Sequence, residues 1–199
     1  MPSQRSLCVP PRNDADHRND DLGSQGSSPR PRYAVARCST LGLNTGLTYR
    51  NWRGKILNIN LKAAMHVGQI VARSMISKGT GGNIVNISSQ ASLMAFKSFA
   101  AYGASKAALD MLTKTMALEL ATHKIRVNSV NPTVVLTELG KRSWSDPVRS
   151  EVMMSRIPMN KFAEVKDVVN AVVYLLSDKA DMITGTCLPI EGGFVTAGV

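Results

Sequence analysis

Residues 83–106, NIVNISSQASLMAFKSFAAYGASK, decide the fold. Asn83 to Ser88 is a β-branched run that reads as a short strand. Ser89 to Ala101 is a loop. From Tyr102 to Thr122 the apolar residues Leu109, Leu112, Met116 and Leu120 lie on one face of a long helix. Reading backward, Asn58 to Lys78 places Leu61, Met65, Gly68, Val71, Ala72 and Met75 at helical spacing, and Gly79 to Gly82 stops it. Reading forward, His123 and Lys124 close the long helix and Ile125 to Asn131 (IRVNSVN) is the next strand, broken by Pro132. Asp146-Pro147 opens a short helix, with Asp as cap and Pro in the first turn. Ala163 to Ser177 is another amphipathic helix. Thr184 to Ile190 is a last strand, ended by Glu191-Gly192-Gly193.

Helices that alternate with strands serve as crossover connections, and these require a parallel sheet with helices on both faces. The expected fold class is α/β, doubly wound, with right-handed crossovers. Only three strands are predicted, none before the first helix, and so small a sheet would leave an edge bare. The pattern predicts the C-terminal half of a larger Rossmann-like sheet.

The first fifty-odd residues differ in kind. PSQRSLCVPPRND and GSQGSSPRPR are rich in Pro, Ser, Gly and Arg and lack apolar periodicity, so they bury too little apolar surface to offset chain entropy. The expected organisation is a disordered or poorly ordered segment over 1–54 and a truncated domain over 55–199. The N-terminus has no continuous apolar core for a secretory signal, and Asp14, Asp16, Asp20 and Asp21 oppose an organellar transit peptide.

The 199 residues carry 24 Lys/Arg and 14 Asp/Glu, a net charge of +10. Residues 1–55 hold nine bases and four acids and residues 56–199 fifteen and ten, so each part contributes +5. A charge spread in this way forms no binding stripe, and aromatics at 5 % give few stacking platforms, so a nucleic-acid partner is not expected. A mild preference for anionic ligands such as phosphorylated cofactors is compatible with it. The mean hydropathy of −0.05 and the lack of a long apolar run predict no membrane span. Cys8, Cys38 and Cys187 are too few and scattered for a disulfide framework or zinc cluster, and read as free thiols in the cytoplasm.

The chemistry gathers around Ser89, Tyr102 and Lys106. Tyr102 and Lys106 are four apart on a helix and share a face. A phenol of pKa about 10 is a poor proton donor at neutral pH, and an adjacent ammonium favours the phenolate. That spacing alone equally suits a packed tyrosine beside a solvated lysine. Ser89, however, stands at the C-terminal end of a predicted parallel strand, where open α/β sheets bind ligands. A hydroxyl there can hold a substrate carbonyl near the phenol. The turn Asn131 to Thr137 (NPTVVLT) follows the next strand at the same end of the sheet. Its Pro-broken backbone can bind an amide.

The SSQ at 88–90, YGASK at 102–106, KIRVNSVNP at 124–132 and GTCLPIEGG at 185–193 together resemble the short-chain dehydrogenase/reductase family. Within it the chain is most similar to the dicarbonyl/L-xylulose reductases, through QIVARSM, NIVNISSQ, WSDP, KFAEV and VVNAVVYLLSD. The resemblance covers about Asn58 to Phe194.

It implies an NADP(H)-dependent carbonyl reductase. Tyr102 would donate the proton. Lys106 would assist it and hold the nicotinamide ribose. Ser89 would orient the carbonyl, and Asn60 would support a water chain to the lysine, unless it is an ordinary polar helix residue. Val135 and Thr137 would meet the nicotinamide carboxamide. Trp144 would be either a substrate-pocket residue or an apolar lid contact. Asn131 is expected to be structural, and His66 and His123 to be ordinary helix residues with no metal. The resemblance also implies a homo-oligomer through the helices 58–78 and 102–122, and a small carbonyl or sugar substrate. The family's glycine-rich turn, which holds the cofactor pyrophosphate at a helix N-terminus, matches nothing here. GSQGSS at 23–28 follows no strand, and LGLNTGL at 41–47 has a similar flaw. Cofactor binding is therefore expected to be weakened or lost, and a catalytically inactive reductase that acts only by assembly is the alternative.

Overall fold

The computed structural model describes residues 50–197. A helix runs from Arg50 to Lys78 in three pieces: α1 (Arg50–Leu57), a π turn over Asn58–Ala63, and α2 (Ala64–Lys78). Strand β1 (Gly82–Ile87) follows, then the long helix α3 (Ala100–Leu120) and strand β2 (Ile125–Pro132). Two short helices, α4 (Glu138–Ser143) and α5 (Pro147–Ser155), precede α6 (Val165–Leu176), β3 (Cys187–Ile190) and the single turn α7 (Phe194–Ala197).

The three strands form one parallel sheet in the order β1-β2-β3. Gly82 pairs with Ile125 and Ile87 with Val130, while Ser129 pairs with Cys187 and Pro132 with Ile190. All C-terminal strand ends therefore meet at one edge of the molecule. Among the described residues the outer side of β1 has no partner strand, as expected of a half-sheet. The α/β parallel architecture agrees with the expected class.

Local chemistry explains the boundaries. Asp146 caps α5 by accepting from the Val148 and Arg149 N–H groups, with Pro147 in the first turn. Glu164 and Asp167 cap α6 reciprocally, so this helix begins at Val165, two residues later than its apolar pattern suggested. Ala163 instead forms a bridge with Val135. The first helix starts earlier than its periodicity predicted, and residues 50–54 of the segment expected to be disordered are helical. The rest of 1–54 lies outside the described residues. Helix α4 was not anticipated, because ELGKRS has no apolar stripe; Thr137 nucleates it by accepting from the Gly140 N–H at 3.0 Å.

Two apolar cores support the sheet. Met116, Ala117, Ile125 and Val127 pack with Met75, Ile84, Leu112 and Leu120 beneath α2 and α3. Met153, Ile157, Phe162 and Phe194 form a second core under the C-terminal strand ends, flanked by Phe96, Val134, Leu136 and Trp144. This second core is the floor on which the loops after β1 and β2 rest. Among the described residues no helix is long and apolar enough to cross a membrane.

Candidate functional site

Strand β1 delivers Ser88 and Ser89 to the sheet's C-terminal end, and alternation separates them. The Ser88 hydroxyl donates to the Lys106 carbonyl at 3.3 Å, tying strand to helix. Ser89 is extended (φ −162°, ψ 153°), and its Oγ accepts from the Ala91 N–H at 3.2 Å. Among the described residues nothing accepts its proton, which is left for a ligand.

The start of α3 brings Tyr102 alongside. Gly103 makes this approach close: a Cβ there would stand 2.9 Å from the Ala91 carbonyl oxygen. Tyr102 packs edge-on against Phe99, with ring centroids 5.8 Å apart. The Lys106 Nζ lies 5.8 Å from the centre of the Tyr102 ring and donates to the Ile87 carbonyl at 2.8 Å. Burial pushes the Lys106 ammonium below its ordinary pKa, against the opposing pull of the Asp110 carboxylate.

Asn60 sits on the π turn, a rare element that often marks functional positions. Its amide donates to the Ser105 hydroxyl at 3.0 Å, and Ser105 donates to the Tyr102 carbonyl at 2.7 Å. Asn60 thus reaches the first turn of α3 through a side chain that sequence reading did not single out.

Ser89, Tyr102, Val135, Thr137 and Trp144 line a single cavity of about 810 Å³. Asn60 and Lys106 are not in its wall; they brace the Tyr102 turn from behind. The aromatic wall is built from Trp144, which packs on Phe162 at 5.7 Å between ring centroids and carries the Arg149 guanidinium 4.6 Å above its ring. Trp144 is therefore both in the cavity wall and packed against the second core. Val135 is held by its bridge to Ala163. Gly140 permits the turn, since a Cβ there would collide with the Val135 carbonyl.

Sequence reading missed Gln90, Thr133, Phe96 and Arg156, which also line the cavity. Gln90 Oε1 and Thr133 Oγ1 are buried and have no hydrogen-bond partner among the described residues, so each can meet a polar ligand group. Their adjacency to Ser89 and Pro132 was the only available signal. Asn131, expected to be structural, has a fully buried side chain. His66 and His123 are exposed helix and turn residues, and among the described residues no His, Cys, Asp or Glu cluster could hold a metal.

The geometry has close relatives. A family model described as enoyl-(acyl carrier protein) reductase matches residues 34–195. L-xylulose reductase of Mesocricetus auratus is 57 % identical over 138 residues, 69 % of this chain and 57 % of that protein. D-erythrulose reductase of Gallus gallus is 56 % identical over 140 residues, 70 % of this chain and 57 % of that protein. The chain thus spans a little over half the length of these relatives. Among solved structures, 4-hydroxyisoleucine dehydrogenase complexed with NADH aligns with a TM-score of 0.72 at 36 % identity, covering 79 % of this chain and 63 % of that one. NAD⁺-bound xylitol dehydrogenase aligns with a TM-score of 0.67 at 34 % identity, covering 71 % of this chain and 59 % of that one. A matching family model over most of the sequence, relatives well above half identical and one shared parallel-sheet architecture have a single meaning: the chain belongs to the short-chain dehydrogenase/reductase family.

Proposed function

We propose that the cavity is the reaction site of an NADP(H)-dependent reductase of small carbonyl compounds, of the L-xylulose and α-dicarbonyl type, working in the cytoplasm. The observation that carries this reading is the meeting of the Ser89 hydroxyl, its proton uncommitted, with the Tyr102 phenol in the wall of one cavity. Bound dihydronicotinamide would supply the hydride to the carbonyl carbon. The residues present suit its nicotinamide end: the 133–137 turn faces the cavity and Thr133 offers a buried hydroxyl that has no partner among the described residues. Val135 and Thr137 would hold the carboxamide, and Lys106 and Tyr102 the ribose.

Ser89 donates to the substrate carbonyl oxygen and holds it against Tyr102. As that oxygen gains charge, the phenol proton passes to it and the product leaves as an alcohol. Lys106 then favours the phenolate left behind until solvent returns the proton. Asn60, through Ser105, keeps the first turn of α3 in place.

A second reading is favoured by the outer helix faces. Val67 and Ile70 on α2 and Met111 and Leu118 on α3 are 61, 65, 61 and 80 % exposed. Such faces support association of α2 and α3 with a second copy, with or without turnover.

Titrating the purified protein with NADPH, read by nicotinamide fluorescence, and following NADPH oxidation with 2,3-butanedione or L-xylulose test both. Saturable binding and turnover that Tyr102→Phe abolishes at unchanged oligomer size support the reductase. Turnover undiminished in Tyr102→Phe overturns the catalytic assignment, and an oligomer that binds no NADPH leaves the assembly reading.

A further inference from the structure

The carbonyl of Ser89 is the most heavily held group at the site. It accepts from the Ser92 N–H at 3.0 Å, from the Ser92 hydroxyl at 2.7 Å and from the Asn131 amide at 3.3 Å. The same Asn131 amide donates to the Ser92 oxygen at 2.8 Å and to Asp110 Oδ2 at 2.7 Å. The other carboxyl oxygen, Asp110 Oδ1, accepts from Ser129 at 3.0 Å. Asn131 and Ser129 are fully buried, and Asp110 is 6 % exposed.

The five members come from three elements. Asp110 lies on α3, two turns beyond Tyr102; Asn131 and Ser129 lie on β2; Ser89 and Ser92 lie on the turn after β1. Burying a carboxyl group costs stability that apolar packing would not. A fully satisfied polar network does, however, select one geometry among several of similar energy. The geometry selected here is that of the Ser89 backbone relative to the helix that carries Tyr102.

We propose that Asp110 and Asn131 are positioning residues that fix the Ser89 turn so that its hydroxyl and the Tyr102 phenol face one carbonyl oxygen. Asp110 orients the Asn131 amide by accepting from it, and the oriented amide holds the Ser89 carbonyl. The proposal rests on the reductase reading for its catalytic consequence but not for its structural one.

An exchange of the two side chains separates positioning from mere stabilisation. In Asp110→Asn an amide nitrogen replaces one of two acceptor oxygens, so either the Asn131 amide or the Ser129 hydroxyl loses its acceptor, and in Asn131→Asp two carboxyl groups face each other. Each single variant loses melting temperature and turnover. In the double variant Asn131→Asp with Asp110→Asn, the new amide donates to the new carboxylate, so the pair's hydrogen bond returns. The Ser89 carbonyl still lacks the donor at position 131, and its remaining side-chain donor, the Ser92 hydroxyl, is drawn to the carboxylate there.

The double variant is expected to regain most of the melting temperature while kcat stays about 10- to 100-fold down at unchanged KM for NADPH. Recovery of kcat together with stability would overturn the proposal. Hydrogen exchange of the 88–94 segment decides independently of activity: exchange accelerates in Asn131→Asp and stays fast in the double variant. Undiminished protection there sinks the proposal. If the exchange variant does not fold, Asn131→Ala removes the donor without adding charge and is read in the same way. Absence of any carbonyl reduction by the wild-type chain would defeat the reductase reading alone, and the exchange rates would still decide the role of Asn131.

Discussion

Lys106 and Ile87 are joined across the gap between α3 and β1: the ammonium donates to the strand's last carbonyl at 2.8 Å. Ile87 is half exposed and ends β1, the outer strand of the sheet among the described residues, so a helix side chain closes the strand end beside the site. The contact places a positive charge behind Tyr102 at the expense of its hydration.

That expense is measurable through pH. Burial lowers the Lys106 pKa from 10.5, so the unfolded chain holds this proton more tightly than the folded one. The destabilisation is complete below the folded pKa and fades as pH rises toward 10.5. Lys106→Met is therefore expected to melt higher than wild type at pH 7, with the gap narrowing toward pH 10, while turnover falls by about 100-fold or more. Melting curves across that range check it; a variant that melts below wild type at pH 7 would mean that the lysine's hydrogen bond, not its desolvation, dominates.

Asn60 and Ser105 make a directional pair. Ser105 has one proton, donated to the Tyr102 carbonyl, and accepts from Asn60. Asn60→Asp would offer a stronger acceptor and pull that proton away, whereas Asn60→Ala only removes a donor. The aspartate variant should lose more turnover than the alanine variant, with stability losses of about 1–3 kcal/mol for either. Equal losses in kcat would show that the hydroxyl's direction is immaterial.

Gly140 in the cavity wall and Gly103 beside Tyr102 should not tolerate a methyl group. Gly140→Ala collides with the Val135 carbonyl, which is backbone and cannot swing aside. Gly103→Ala presses on the Ala91 carbonyl and would push Tyr102 away from Ser89. Both are expected to weaken ligand binding by about tenfold or more, because a misplacement of about 1 Å is costly at a reacting centre. Calorimetric titration with NADPH measures this for each variant.

Phe194 is 1 % exposed and stacks on Phe96 with ring centroids 5.6 Å apart. Phe194→Ala should cost about 3–5 kcal/mol by opening a hole under the site. For a domain of this size that lowers the melting temperature on the order of 10 °C. A shift near zero would mean that α7 is not part of the cooperative unit.

Periodicity and capping residues made most of the elements legible. The stripe of Leu109, Leu112, Met116 and Leu120 and the alternation in NIVNIS are local properties of the chain, and they determined helix, strand and a parallel sheet. The Tyr102–Lys106 spacing likewise placed two groups on one helical face. Helix α4 was not legible, because it rests on a cap at Thr137 and on the room at Gly140 rather than on a stripe. The roles of Asp110, Ser105 and Asn131 were equally hidden. A buried aspartate on a helix and an asparagine in a strand carry no local signature; the hydrogen bonds that tie them to other elements join residues 19 to 42 positions apart. Secondary structure follows from neighbours along the chain, whereas the aim of a hydroxyl into a cavity depends on groups that only the packing of helix against sheet brings within 3 Å of one another.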